Sequence, residues 1–130
     1  ANNAAWDLVE AAEVDAGAML TAAYAAAYHW RAVGTPVQIA RAETLLAAVH
    51  ARLDRGAEAE AYLRRAAPPL EAAGLPAWEA ALIHTIRAMA LQSTDKAAAK
   101  IAQAEARAMI DGVPEAGERK ILERLFVRLG

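Results

Sequence analysis

The chain has 130 residues, a formal net charge of −2 and no cysteine, which predicts one domain in a reducing compartment such as the cytoplasm and excludes disulfides and thiolate chemistry. Acidic and basic residues are mixed along most of the sequence, so no basic face that would bind nucleic acid is expected. The longest uncharged run, residues 16–30, is shorter than the roughly 20 apolar residues of a membrane span. Abundant alanine and only 5% aromatic residues favour helices throughout.

A Gly-x-Pro tripeptide occurs three times, at 34–36, 74–76 and 112–114. The separation of Gly34 and Gly74 defines the repeat length. The separation of Gly74 and Gly112 is slightly shorter. Glycine just past a helix favours a left-handed C-terminal cap, and proline two residues later suits the first turn of the next helix. Weaker breaks at 15–17, 54–56 and 93–95 divide each repeat into two helices. The expected fold is therefore all-α, with three stacked antiparallel hairpins in one domain, at about 1–34, 35–74 and 75–112, and a capping helix at 115–129.

The first hairpin is predicted to contain helices at 4–14 and 17–33. On the second of these, Tyr24 and Tyr28 share one face, whereas Met19, Ala23 and Ala26 face the hairpin interior. We expect the next helix to cover the two tyrosines. The alternative is that they form a patch for self-association or for a protein partner, because aromatic residues often anchor interfaces.

The second hairpin is predicted to contain helices at 36–53 and 57–73. An apolar stripe runs along the first of them: Ala42, Leu46, Val49 and Leu53. His50 stands four residues before Asp54, a spacing that predicts an ion pair near the helix end. Adjacent prolines at 68 and 69 predict a kink or a broken last turn in the second helix.

The third hairpin is predicted to contain helices at 77–92 and 95–110. Its first helix carries the apolar stripe again, one repeat length later, as Leu82, Ile86 and Met89. The final predicted helix, 115–129, is strongly amphipathic and is expected to cover the open end of this hairpin. Trp6, Trp30 and Trp78 lie near helix ends, where they are expected to fill the alanine-rich core or, alternatively, to form an aromatic cage for a cationic or flat ligand.

Hairpins that recur at the spacing of these tripeptides resemble tetratricopeptide-like repeats. The small-bulky-small pattern of that family's second helix matches Ala59, Leu63 and Ala66 and again Ala97, Ile101 and Ala104, and Leu46-Ala47 matches its first helix. The corresponding residues of the first hairpin, Met19, Ala23 and Ala26, lack the bulky centre. Residues 28–43, beginning Tyr28-His29-Trp30, are also similar to small uncharacterised bacterial repeat proteins, a resemblance that covers most of the chain and implies no known activity.

The tetratricopeptide resemblance implies a concave groove lined by the first helix of each hairpin and used for peptides or proteins. Spacing places these residues on the groove side: Arg41, Thr44, Ala48, Ala51, Arg52, Ala81, His84, Ala88, Leu91 and Gln92. The leading hypothesis is a protein or peptide interaction module, with a homodimer as one form. The candidate binding residues are Arg41, Thr44, Arg52, Trp78, His84, Tyr24, Tyr28 and His29.

The alternative hypothesis is a small-molecule binder or minimal enzyme with a pocket between the hairpins, formed around His84, Arg41 and Trp78, with His29 as a further candidate. His84 is its one candidate general base, and Arg41, Thr44 and Arg52 would hold an acidic ligand beside it. No nucleophile, carboxylate pair or glycine-rich phosphate loop accompanies His84. The three histidines lie on different predicted helices without metal-ligand spacing, so neither a metal nor a cofactor is expected.

Overall fold

The computed structural model describes residues 2–129, and in that range it contains seven α-helices and no strand. The helices are α1 (Asn2–Glu10), α2 (Ala16–Val33), α3 (Pro36–Arg52), α4 (Gly56–Ala73), α5 (Ala77–Leu91), α6 (Lys96–Asp111) and α7 (Ala116–Phe126). The all-α class and the seven predicted helices are confirmed. None of the described helices is both long enough and apolar enough to cross a membrane.

Short polar side chains begin several of the helices. The Asp15 carboxylate accepts the Ala18 amide at the start of α2, and Asp95 does the same for Ala98 at the start of α6. At the start of α3, Thr35 directly before Pro36 and Gln38 two residues after it form a reciprocal capping box. The predicted glycine caps are only partly right, since Gly74 has φ 83° whereas Gly34 and Gly112 have negative φ.

The first helix ends at Glu10 rather than at the predicted residue 14. Two arginine side chains donate hydrogen bonds to backbone carbonyls at this end. Arg52 Nη2 lies 2.7 Å from the Ala11 oxygen, and Arg128 Nε lies 2.9 Å from the Glu10 oxygen. Both carbonyls are therefore satisfied by tertiary contacts instead of by another helical turn. The last helix is also shorter than predicted and ends at Phe126.

The adjacent prolines do not break α4, which runs on to Ala73. The expected broken last turn is therefore wrong. Leu70 in that turn is buried and packs with Ala40 and Ala66, with Val37 and Ile83 beside them. Burial of this side chain compensates for the backbone donors that Pro68 and Pro69 lack.

Packing is closest between α3 and α4 and between α5 and α6, while α2 packs on α1 and α3. The helices form the successive pairs α1–α2, α3–α4 and α5–α6. The first helix of the middle pair, α3, also contacts the first helices of the other two pairs, α1 and α5. Helix α7 lies against α5 and α6 and reaches α1. The main core is centred on α3 and contains Leu45, Leu46 and Val49 together with Met19 of α2 and Ile86 of α5.

Buried positions on α2, α4 and α6, the second helices of the three pairs, are separated along the chain by the same number of residues as Gly34 and Gly74. Met19, Ala59 and Ala99 are buried equivalents, and so are Ala26, Ala66 and Ala106. The positions at which the family pattern is matched on α6, Ala97, Ile101 and Ala104, lie two residues before the ones that follow the repeat length, and Ile101 is 65% exposed. The shorter spacing of the last Gly-x-Pro tripeptide arises after Ala106, so it does not alter the register of α6.

The same repeat length extends to α7. Leu122 stands one repeat length after Leu82, and Phe126 stands one repeat length after Ile86; all four side chains are buried or partly buried. Helix α7 therefore repeats the inward face of the first helices α3 and α5.

Candidate functional site

A cavity of about 510 Å³ lies between α1, α3, α5 and α7 and is partly open to solvent. Each of the four helices contributes at least two side chains to it. The lining residues are Trp6, Asp7, Glu10, Arg41, Thr44, Trp78, Glu79, Leu82, Glu118, Ile121, Leu122, Arg124 and Leu125.

This cavity lies on the face where the tetratricopeptide resemblance implies a groove. Four alanines assigned to the groove surface, Ala48, Ala51, Ala81 and Ala88, are buried. Helix α1 packs on α3, α7 packs on α5, and α1 touches α7, so little of the face remains free for an extended chain. The alanines allow these helices to approach closely because their side chains are short.

One wall contains an ion pair between neighbouring first helices. Arg41 of α3 donates from Nε to Glu79 Oε2 at 3.0 Å and from Nη2 to Glu79 Oε1 at 3.3 Å. The Glu79 side chain is only 4% exposed, whereas that of Arg41 is 48% exposed. This two-bonded geometry holds the buried carboxylate and leaves one side of the guanidinium at the cavity surface.

Two tryptophans supply the aromatic part of the lining. Trp6 comes from α1 and Trp78 from the first turn of α5, and both are partly buried. Leu82 and Leu122 continue the apolar surface between them. The third tryptophan, Trp30, packs against the main core instead and touches His29 edge to face. The structure therefore brings two of the three tryptophans to one cavity.

The remaining charged groups of the lining are mostly acidic. Burial raises the pKa of the Glu10 carboxyl; the Arg124 guanidinium partly opposes the rise and the Asp7 carboxylate adds to it. Glu118 of α7 contributes a further carboxylate. Within residues 6–129, the carboxylates of Asp7, Glu10 and Glu118 have no hydrogen bond or salt bridge.

Of the predicted groove residues, Arg41, Thr44 and Trp78 line the cavity, whereas Arg52 and His84 do not. Arg52 is used to bind the Ala11 carbonyl at the end of α1. His84 turns back on its own helix, with Nδ1 3.0 Å from the Ala80 carbonyl, so Nδ1 carries the proton. The predicted cluster of His84 with Arg41, Thr44 and Arg52 is therefore not formed.

The predicted aromatic face of α2 lies on a different part of the molecule. Tyr24 reaches across to His50 Nε2 at 3.2 Å and to the Tyr62 hydroxyl at 3.3 Å, and His50 stacks on Tyr62 with ring centroids 5.5 Å apart. Tyr28 is 79% exposed, so α3 does not cover both tyrosines as expected. His29 is also exposed.

His50 does not form the predicted ion pair with Asp54. The His50 ring is buried against the two tyrosines, and Asp54 is exposed in the turn after α3 with φ 57°. Burial lowers the pKa of His50, the Arg55 guanidinium lowers it further, and Glu58 partly opposes both. His50 is therefore a neutral packing residue near pH 7.

The acidic residues of the cavity lining are not indicated by any local pattern in the sequence. Asp7 and Glu10 look like ordinary residues of an acidic first helix, and no motif singles out Glu79 or Glu118. Only the repeat length could indicate Glu118, which stands one repeat after Trp78. The proximity of Glu10 to α7 is a consequence of chain closure between α1 and α7, and no local pattern encodes it.

Within the described residues, no three histidine or carboxylate side chains converge as a group that could hold a metal ion. The cavity lining contains one hydroxyl, that of Thr44, and it donates to the Ala40 carbonyl at 3.0 Å. In comparisons with known proteins, no family model, no curated protein and no solved structure matches this chain.

Proposed function

We propose that the protein binds a compact ligand in the cavity between α1, α3, α5 and α7. The volume of about 510 Å³ supports this proposal, because small-molecule sites commonly measure about 300–1,000 Å³ and combine an apolar lining with a few polar groups. The site shares Arg41 and Trp78 with the pocket expected around His84, but His84 itself does not line it. Trp6 and Trp78 form its apolar walls, and the Arg41–Glu79 pair supplies its fixed polar group.

The fold we propose is a short tetratricopeptide-like stack in which α7 takes the place of a fourth first helix. The close α3–α4 and α5–α6 pairs and the constant repeat length of the buried positions support this assignment. In such a stack the first helices form the concave face. Helix α7 and the contact of α1 with α7 would then turn a peptide groove into a bounded cavity.

A fragment screen followed by ¹H–¹⁵N NMR tests the proposed site. The three tryptophan indole N–H signals act as reporters, because Trp6 and Trp78 line the cavity and Trp30 does not. We expect binding fragments to shift the signals of Trp6 and Trp78 and to leave Trp30 unchanged. Fragments that bind only elsewhere on the surface would contradict the proposal.

A second function, a protein or peptide interaction module that also pairs with its own copy, is favoured by the outer face of α2. Tyr28 is 79% exposed there, and Tyr24 is 44% exposed. Exposed aromatic residues on one helix face are typical of interface anchors. This face lies outside the cavity lining, so the two functions are separable.

Sedimentation velocity of the wild type and of Tyr28→Ser tests this second function in its self-associating form. A concentration-dependent dimer that the substitution weakens would support it. A wild type that stays monomeric at high concentration would exclude self-association through α2. Thr21→Ser is a suitable control on the same helix, because Thr21 is exposed and the change is small.

A further inference from the structure

We propose that the cavity selects an organic cation: a ligand with a protonated amine and a flat or aliphatic apolar body. This inference rests on the proposed binding function and deepens it by naming the chemical class of the ligand. It reverses the acidic ligand expected from the sequence, because His84 and Arg52 do not reach the cavity.

The charge of the lining favours a cation. Four carboxylates and two guanidinium groups surround the cavity, and Arg41 is already paired through two bonds with Glu79. The charged groups of the lining outside this pair are the carboxylates of Asp7, Glu10 and Glu118 and the guanidinium group of Arg124. No lysine lies in the lining. A positively charged ligand would therefore gain Coulomb energy on entry, whereas an anion would be repelled.

The state of Glu10 is consistent with such a ligand. Burial raises the pKa of this carboxyl, which means that its charged form is poorly solvated in this fold. A ligand ammonium group beside Glu10 would replace the lost solvation with a charge-assisted hydrogen bond. Arg124 only partly supplies this stabilisation.

The aromatic part of the lining suits the same ligand class. The faces of tryptophan rings attract cations and also pack against flat apolar groups. Trp6 and Trp78 contribute from two different helices, and Leu82 and Leu122 complete the apolar surface. An ammonium group near the carboxylates with an apolar body against the tryptophans would use both parts of the lining.

Three probes of nearly equal size separate charge from shape: phenethylamine, 2-phenylethanol and phenylacetate. Each is titrated into the full chain, and the Trp6 and Trp78 indole signals are followed by NMR. We expect the amine to bind about tenfold or more tightly than the alcohol, and the acid to bind most weakly. Glu10→Gln and Glu118→Gln should each weaken binding of the amine several-fold and leave that of the alcohol unchanged.

The control variant is Glu58→Gln, since Glu58 is an exposed carboxylate on α4 outside the cavity. It should retain wild-type affinity for the amine, and circular dichroism should show all variants folded. If the alcohol or the acid shifts both indole signals as strongly as the amine does, the selection for a cation is wrong while the binding site stands. If no probe shifts either signal at millimolar concentration, both the cation inference and the proposed site are overturned.

Discussion

Replacement of Gly56 by alanine would place a methyl group where α4 passes closest to α5. Gly56 is the first residue of α4, and its amide donates to Ser93 Oγ at 3.1 Å, which in turn donates to the Ala90 carbonyl. A Cβ added at Gly56 would lie 2.3 Å from the Ala90 carbonyl oxygen, 2.6 Å from Ser93 Oγ and 2.8 Å from Thr94 Cγ2. All three contacts are closer than the 3.0 Å that real Cβ atoms essentially never breach.

The nearest of these atoms belongs to the backbone, so no rotamer change relieves the clash and the two helices must separate by at least 0.7 Å, from 2.3 to 3.0 Å. Overpacking of this kind costs about 1–3 kcal/mol, and disturbing the Gly56–Ser93–Ala90 hydrogen bonds costs about 1 kcal/mol more. The helix propensity of alanine returns up to about 1 kcal/mol. We expect a net loss of about 2–3 kcal/mol, which lowers the melting temperature by about 8–12 °C.

Gly17→Ala is the matched control, because Gly17 also lies in the first turn of a helix and the nearest neighbour of an added Cβ there is Asp15 Oδ1 at 3.9 Å. This change should leave stability unchanged or raise it by up to about 1 kcal/mol. Urea unfolding followed by circular dichroism at 222 nm gives both values. If Gly56→Ala were as stable as Gly17→Ala, the close approach of α4 to α5 would be refuted.

Three further predictions concern side chains that join helices. The pKa of His50 is lowered in the folded state, so its contribution to stability is present above pH 6.5 and is lost as the pH falls through the folded-state pKa. In urea titrations, His50→Gln should therefore lose less unfolding free energy than the wild type between pH 7.5 and 5. Arg52→Met should cost about 1–2 kcal/mol and accelerate amide exchange in α1, because it removes the 2.7 Å bond to the Ala11 carbonyl. Glu123→Gln removes a half-exposed ion pair with Arg107, so its cost in unfolding free energy should stay below about 1 kcal/mol and shrink further in high salt.

Several helices could be predicted from short-range patterns because their ends depend on neighbouring residues. Asp15 and Asp95 each cap a helix through an amide three residues later, and Pro36 begins α3. The match of the family pattern to Ala97, Ile101 and Ala104 is displaced by two residues from the positions of α6 that follow the full repeat length, among which Ala99 and Ala106 are buried. Alanine-rich helices make such an error easy, since Ala97 and Ala99 differ in burial but not in side chain.

The candidate site could be predicted only in part, for a related reason. Arg41 and Thr44 follow from helical spacing on α3, which is a local property, and Trp78 is expected in a pocket with Arg41. Helical spacing also places Arg52 on the inward face, but its guanidinium group donates a hydrogen bond to the Ala11 carbonyl at the end of α1. Periodicity predicts the helix face on which a side chain lies. Its hydrogen-bond partner depends on which distant segment of the chain packs against that face.

The sequence by itself determined the helical class, the number of helices and the apolar stripes, since these depend on residue propensities, capping residues and a period of 3.6. The tertiary structure alone decided that α7 joins the row of first helices and that α1 meets it. That closure brings Glu10, Glu79 and Glu118 into one cavity with Trp6 and Trp78, although they are far apart in the chain. Contacts across such distances depend on how whole helices pack, and no local pattern in the chain specifies them.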